Sequence, residues 1–214
     1  MLPHGTSPER LRLISSGEQS CDNSAIETLL TYSRLALYDV VIYIDDSGSM
    51  AFEEQGERIK DLELIMQRVA FAATLFDEDG YDSPTTLQVK VGVTDIEFSI
   101  EIRFMNDDST PPNMLGNIRT EQQIAQVMSN RRYKGLTPFG TKLRQKVIDG
   151  IVLPKLRQPR KPVLVIGITD GQPAGENAGA LEDTIRYAVN STQNLGPGAV
   201  AFQFAQVGND QKGK

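Results

Sequence analysis

Two stretches of this chain carry apolar side chains without alternation: Val40-Val41-Ile42-Tyr43-Ile44 and Val163-Leu164-Val165-Ile166-Gly167-Ile168. A short β-branched run bounded by polar residues marks a strand buried on both faces, as in a parallel sheet covered by helices. Around these strands the apolar period changes to that of a helix. Ile59, Leu62, Ile65, Met66, Val69, Ala73 and Phe76 share one face of a predicted helix, while Glu57, Lys60, Asp61, Glu63 and Arg68 fill the other. Further helices are expected from about Thr120 to Asn130, from Thr137-Pro138 through Leu143, Val147, Ile148 and Ile151 toward Leu156, and near 179–193. The stretch Arg157-Gln158-Pro159-Arg160-Lys161-Pro162 ends the second of these.

Leu87 to Val93 and Phe98 to Met105 alternate as two strands of a hairpin at the sheet edge would, and Ala199 to Val207 reads as a last strand. Asp107 to Asn117 is a Pro/Asn/Asp loop. Residues 1–24 are polar with little periodicity and read as a flexible arm, followed by a short helix over Ser24 to Ser33. Strands alternating with helices predict a three-layer α/β domain over 25–214, a doubly wound and mostly parallel sheet flanked by helices.

Both buried strands end in oxygen-bearing residues, and this is where the chemistry enters. The first runs into Asp45-Asp46-Ser47-Gly48-Ser49 and the second into Thr169-Asp170-Gly171. In open α/β sheets ligands bind outside the carboxyl ends of the strands. Between them, Gly135-Leu136-Thr137-Pro138-Phe139-Gly140-Thr141 is a turn that carries a hydroxyl and opens a helix, with Pro138 suited to the first turn. Hydroxyl and carboxylate oxygens are hard donors and suit Mg²⁺ or a similar divalent cation.

Asp45-x-Ser47-x-Ser49, then Thr137, then Asp170-Gly171 resembles the metal-ion-dependent adhesion site of von Willebrand factor type A domains, of the intracellular type. The order and approximate spacing of all three parts match. The resemblance implies a Rossmann-like fold and a site for Mg²⁺, Mn²⁺ or Ca²⁺. It also implies that Ser47 and Ser49 are direct ligands, that Asp45 and Asp170 act through water, and that Thr137 binds directly or through water according to state. An ion with no directly bound carboxylate keeps much of its charge and accepts a Glu or Asp from a protein partner. The implied function is metal-bridged protein recognition by a non-enzyme. Two departures stand out. Such domains close with a further helix and edge strand, whereas this chain stops at Gly213-Lys214, and Tyr81 to Ser99 looks like an insertion.

Composition changes the picture little. With 214 residues, 39% apolar and 23% charged, the chain has the makings of one globular domain. The net charge of −6 argues against nucleic acid as the main partner. A single cysteine, Cys21, no signal-peptide pattern and no apolar run of membrane-spanning length predict a cytoplasmic protein. His4, the one histidine, lies in the arm and is not expected to be a ligand. Asp77-Glu78-Asp79-Gly80 lacks the acid that a calcium loop needs twelve residues from its start. Two alternatives compete with metal-bridged recognition: a degenerate domain of the same fold that binds no metal, and a metal-dependent hydrolase. The hydrolase is disfavoured. The Asp, His and Ser order of subtilases is not present, Ser47 stands where a haloacid dehalogenase phosphatase needs a second Asp, and there is no P-loop.

Overall fold

A computed structural model describes residues 37–52, 56–74, 100–129, 131–157, 161–171 and 173–208. The expected arm, the helix over Ser24 to Ser33, the division at 24/25, the strand Leu87 to Val93 and most of the expected insertion lie outside the described residues. Four parallel strands form one sheet among those described: β1 (Asp39–Ile44), β2 (Ile100–Phe104), β3 (Val163–Thr169) and β4 (Val200–Gln206), in the order β2-β1-β3-β4. The helices are α1 (Gly48–Phe52), α2 (Glu57–Thr74), α3 (Pro112–Leu115), α4 (Glu121–Met128), α5 (Phe139–Lys142), α6 (Leu153–Lys155) and α7 (Ala180–Thr192), with a π-helical segment over Leu143–Val152. The result is a Rossmann-like α/β fold, doubly wound as predicted, with β4 at one edge.

The two apolar runs become the central strands, β1 dry on both faces and β3 on the face of Val163 and Val165, with Leu164 and Ile166 opposite partly buried. Val41, Ile42, Tyr43 and Ile44 have no exposed surface, and neither do Val163 and Val165. On one face Val41, Tyr43, Val163 and Val165 pack against Phe139, Leu143, Val147, Ile148, Ile151, Val152 and Ala188. The opposite face presents Val40, Ile42, Ile44, Ile100, Ile102 and Phe104, all buried, and α2 packs on α4 with Leu62, Met66, Ile124 and Val127 inward. At about 25 cal/mol per Å², each such side chain contributes roughly 1.5–3 kcal/mol on burial. Gly167 serves the packing directly. A Cβ there would lie 2.6 Å from the Phe204 ring and 3.1 Å from that of Phe139. Its absence lets Phe139 reach Tyr43 at a ring separation of 4.7 Å.

Within the Phe98 to Met105 run, Ile100–Phe104 forms β2, a strand at the sheet edge that pairs in parallel with β1, while its expected hairpin partner, Leu87 to Val93, lies outside the described residues. Its one antiparallel contact among the described residues is a single bridge from Ile100 to Ile118. Two expectations are corrected. The 107–117 loop holds one helical turn, α3, started by Pro112, whose fixed φ suits a first turn. The helix after Thr137 begins at Phe139 with Pro138 as its cap, outside the first turn, and then widens to π winding, the Leu153 N–H donating to Ile148 O five residues back. Pro154 has no N–H to give a regular ladder at this point. By contrast Thr120 caps α4 as its position suggests. Its hydroxyl accepts from Gln123 N–H while the Gln123 side chain accepts from Thr120 N–H, a reciprocal capping box.

Candidate metal centre

The strand order reverses between β1 and β3, so the loops leaving their carboxyl ends part and open a crevice, the place where α/β sheets bind ligands. Asp45 and Asp170 stand there side by side, one at the end of each strand, and both are fully buried. Asp45 N–H still bonds to Ile168 O at 2.9 Å, so the first ligand loop starts in register with β3. The Asp45 carboxylate accepts from Ser47 N–H at 2.9 Å and from the Thr169 hydroxyl at 2.8 Å. Burial pushes its pKa up, and these hydrogen bonds oppose the rise. Ser47 and Ser49 hydroxyl oxygens are 2.9 Å apart.

The third loop is tied to the first by backbone. Gly48 N–H donates to Gly135 O at 3.2 Å and Lys134 N–H to Asp46 O at 2.8 Å, which brings the turn before buried Thr137 against Ser47-Gly48-Ser49. Thr137 O accepts in turn from Ala174 N–H at 2.9 Å, joining that turn to the loop after Asp170. Glu176 of the same loop caps α5, accepting from Gly140 N–H at 3.0 Å and Thr141 N–H at 2.8 Å. Thr141 thus lies within a helix, as expected, and its N–H serves the cap.

Asp46 points away from its neighbours. Its two carboxylate oxygens accept from Asn106 N–H at 2.6 Å and Asp107 N–H at 2.9 Å. Burial pushes its pKa up to about 6 against those bonds. Asp107 is the reverse case: some burial raises its pKa, but bonds from Ser109, Thr110 and Arg131 outweigh this and hold the carboxyl well below the usual range. A carboxylate with a depressed folded pKa stabilises the fold above its unfolded value of about 3.9, and that stability disappears as pH falls through the folded value. Asp107→Asn is therefore expected to cost about 1–3 kcal/mol at pH 7 and to flatten the loss of stability below about pH 4, read by urea unfolding across pH. An equal acid slope in both proteins would refute it.

The donor set can be tested against a divalent cation. Adjacent ligands of an octahedral Mg²⁺ at about 2.0–2.1 Å sit about 2.9 Å apart by geometry, the separation of the two serine hydroxyls. The remaining donors, two carboxylates and a threonine hydroxyl, are equally hard, so the chemistry fits. Among the described residues no group of three or more His, Cys, Asp or Glu side chains is placed to hold a metal, so hydroxyls would have to carry part of the coordination.

One participant was not anticipated. Arg58, in the first turn of α2, reaches the site and donates from Nη1 to Asp170 Oδ2 at 2.7 Å, with the two side chains only 2% and 0% exposed. A signal existed. Arg58 precedes buried Leu62 by four residues and so shares the inward face of the helix. Thr169, which orients Asp45, and Glu176 carry no comparable sequence signal.

No family model and no curated protein matches the sequence. Among solved structures the chain is similar to the von Willebrand factor type A protein from Catenulispora acidiphila, at 18% identity and a TM-score of 0.47, covering 81% of this chain and 34% of that one. It is similar to the manganese-loaded TRAP protein of Plasmodium vivax, at 12% identity and a TM-score of 0.46, covering 82% of this chain and 59% of that one. It is also similar to an aerotolerance-related membrane protein from Bacteroides fragilis, at 14% identity and a TM-score of 0.39, covering 83% of this chain and 79% of that one. The chain thus spans about a third of the first and under two thirds of the second. Its own geometry establishes a Rossmann-like α/β fold in which three loops bring oxygen donors together at the switch in strand order.

Proposed function

We propose that the chain is a protein-interaction module of the von Willebrand factor type A kind whose recognition depends on a divalent cation, Mg²⁺ or else Mn²⁺ or Ca²⁺. The observation that supports this most is the pair of serine hydroxyls at octahedral spacing beside two buried carboxylates at the strand-order switch. Ser47 and Ser49 would hold the ion directly, Asp45 and Asp170 would orient its waters, and Thr137 would close the set. When bound, the ion supplies a Lewis-acidic position for a partner's Glu or Asp.

The rim suits a protein partner. Phe52 and Leu136 border the contact between Gly48 and Gly135 and are 83% and 63% exposed. Apolar side chains around a charged centre give the arrangement that interfaces use, with anchors excluding water from a polar contact. On this reading no bond is made or broken, the partner is neither nucleic acid nor membrane, and the protein works in the cytoplasm. Among the described residues no helix is long and apolar enough to cross a membrane.

Thermal unfolding tests the reading. An ion that binds only the folded state stabilises it by about 2.7 kcal/mol at a hundred times its Kd. The chain in Mg²⁺ or Mn²⁺ is expected to melt several degrees above the chain in EDTA, and Asp45→Ala or Ser49→Ala to remove the difference. Identical curves for the unmodified chain in all conditions would refute metal dependence. They would favour a second reading, a scaffold without metal, for which the Arg58–Asp170 pair offers an argument of its own: it already places a cation at the site.

A further inference from the structure

We propose that Arg58 is an internal cation that holds the Asp170 end of the site when no divalent ion is bound, and sets the ion's affinity by competing for that carboxylate. The inference rests on the metal-dependent reading above. Arg58 Nη1 lies 2.7 Å from Asp170 Oδ2, and both side chains are removed from solvent, so little water or salt screens the charge. Arginine does not shed its proton in proteins, which makes the positive charge permanent. Asp45, the other carboxylate at the switch, is satisfied by neutral donors, a backbone N–H and a hydroxyl. Asp170, by contrast, takes a full positive charge from Arg58.

Two consequences follow. In the metal-free state the guanidinium offsets one of the two carboxylate charges, which lets Asp45 and Asp170 stand close together at the ends of neighbouring strands without an ion. A divalent ion entering the site meets a positive charge already at Asp170, and its affinity falls accordingly. A partner carboxylate adds the negative charge that Arg58 has offset. Ion and partner then bind with positive coupling, each tightening the other by the same factor.

Calorimetric titration with magnesium chloride of the unmodified chain, Arg58→Gln and Arg58→Lys separates the possibilities. Arg58→Gln keeps a hydrogen-bond donor for Asp170 and removes the charge, and is expected to bind Mg²⁺ about tenfold tighter or more. Arg58→Lys keeps the charge and is expected to stay near the unmodified chain. Binding by Arg58→Gln that is equal or weaker than that of the unmodified chain would overturn the inference alone, leaving Arg58 a residue that only positions Asp170. No binding by any of the three would overturn the metal-dependent reading and this inference with it. Should Arg58→Gln not fold, the Arg58 side-chain Nε–H resonance of the unmodified chain, absent in Arg58→Lys, gives the answer. It is expected to shift on saturation with Mg²⁺ as the pair with Asp170 loosens, and an unmoved resonance at saturation would refute competition.

Discussion

In EDTA, Asp170→Ala is expected to lower the stability of the chain by about 3–5 kcal/mol, because it takes a buried carboxylate partner from the Arg58 guanidinium. The pair is buried on both sides, and its 2.7 Å contact links the first turn of α2 to the end of β3. Taking two charges out of water is costly, and mutual attraction offsets that cost only while both partners are present. The double variant Arg58→Met/Asp170→Leu removes both charges and keeps the volume apolar, so it is expected to recover most of the loss. Urea unfolding of Arg58→Met, Asp170→Leu and the double variant, against the unmodified chain, forms a complete cycle. A single substitution no more damaging than the double one would show that the ion pair does not hold this end of the sheet. Working without divalent ions keeps the comparison free of any loss of metal binding.

The second large effect lies where α5 crosses α7. A Cβ on Gly140 would stand 2.3 Å from Leu181 N and 2.5 Å from Ala180 C, both main-chain atoms that no rotamer change can move aside. Gly140→Val is expected to cost about 3 kcal/mol or more by forcing the two helices apart. The damage should also reach the site, since Gly140 N–H bonds to Glu176 and Gly140 O accepts from the Thr184 hydroxyl at 2.9 Å, three residues after Thr137. Gly150→Ala is the control. Its added Cβ would meet only Gln145 O, at 3.4 Å, and by restricting the unfolded chain it is expected to leave stability unchanged or raise it by up to about 1 kcal/mol. Thermal unfolding of the pair checks both, and equal melting temperatures would refute the crossing argument.

How much of this was legible beforehand depends on the range of the interaction. β1 and β3 were readable because a central position in the sheet, with apolar cover on both sides, leaves an unbroken apolar run, a property of each strand alone. The Thr120 cap was readable for the same reason, its partner Gln123 being three residues away. Phe98 to Met105 showed its alternation but not that it lies parallel to β1, since a strand's neighbour in the sheet is chosen by the rest of the fold. At the site, Asp45, Ser47, Ser49, Thr137 and Asp170 could be listed in advance, and their loops do meet. Arg58 was overlooked because a charged residue at a helix start is ordinarily solvated, and only the chain folded back over 112 positions shows what it faces. Gly140 and Gly167 carry no sequence signal of their packing role, because its reason is tertiary contact with α7 and with two aromatic rings.

Asp46 has a consequence for recognition that its lack of any ligand role conceals. Its side chain grips the backbone of Asn106 and Asp107, its carbonyl grips Lys134, and the Asn106 amide bonds back to the carbonyls of Lys134 and Leu136 at 3.0 Å each. Three segments that would otherwise wander are thereby held as a single rigid lip beside the serines. Ordering a loose backbone costs about 1–2 kcal/mol per residue, and here that cost is met during folding instead of at the moment of encounter. A partner meeting this lip has little slack to take up, so its affinity answers to the shape and charge it presents, and specificity becomes a matter of fit against a preorganised surface.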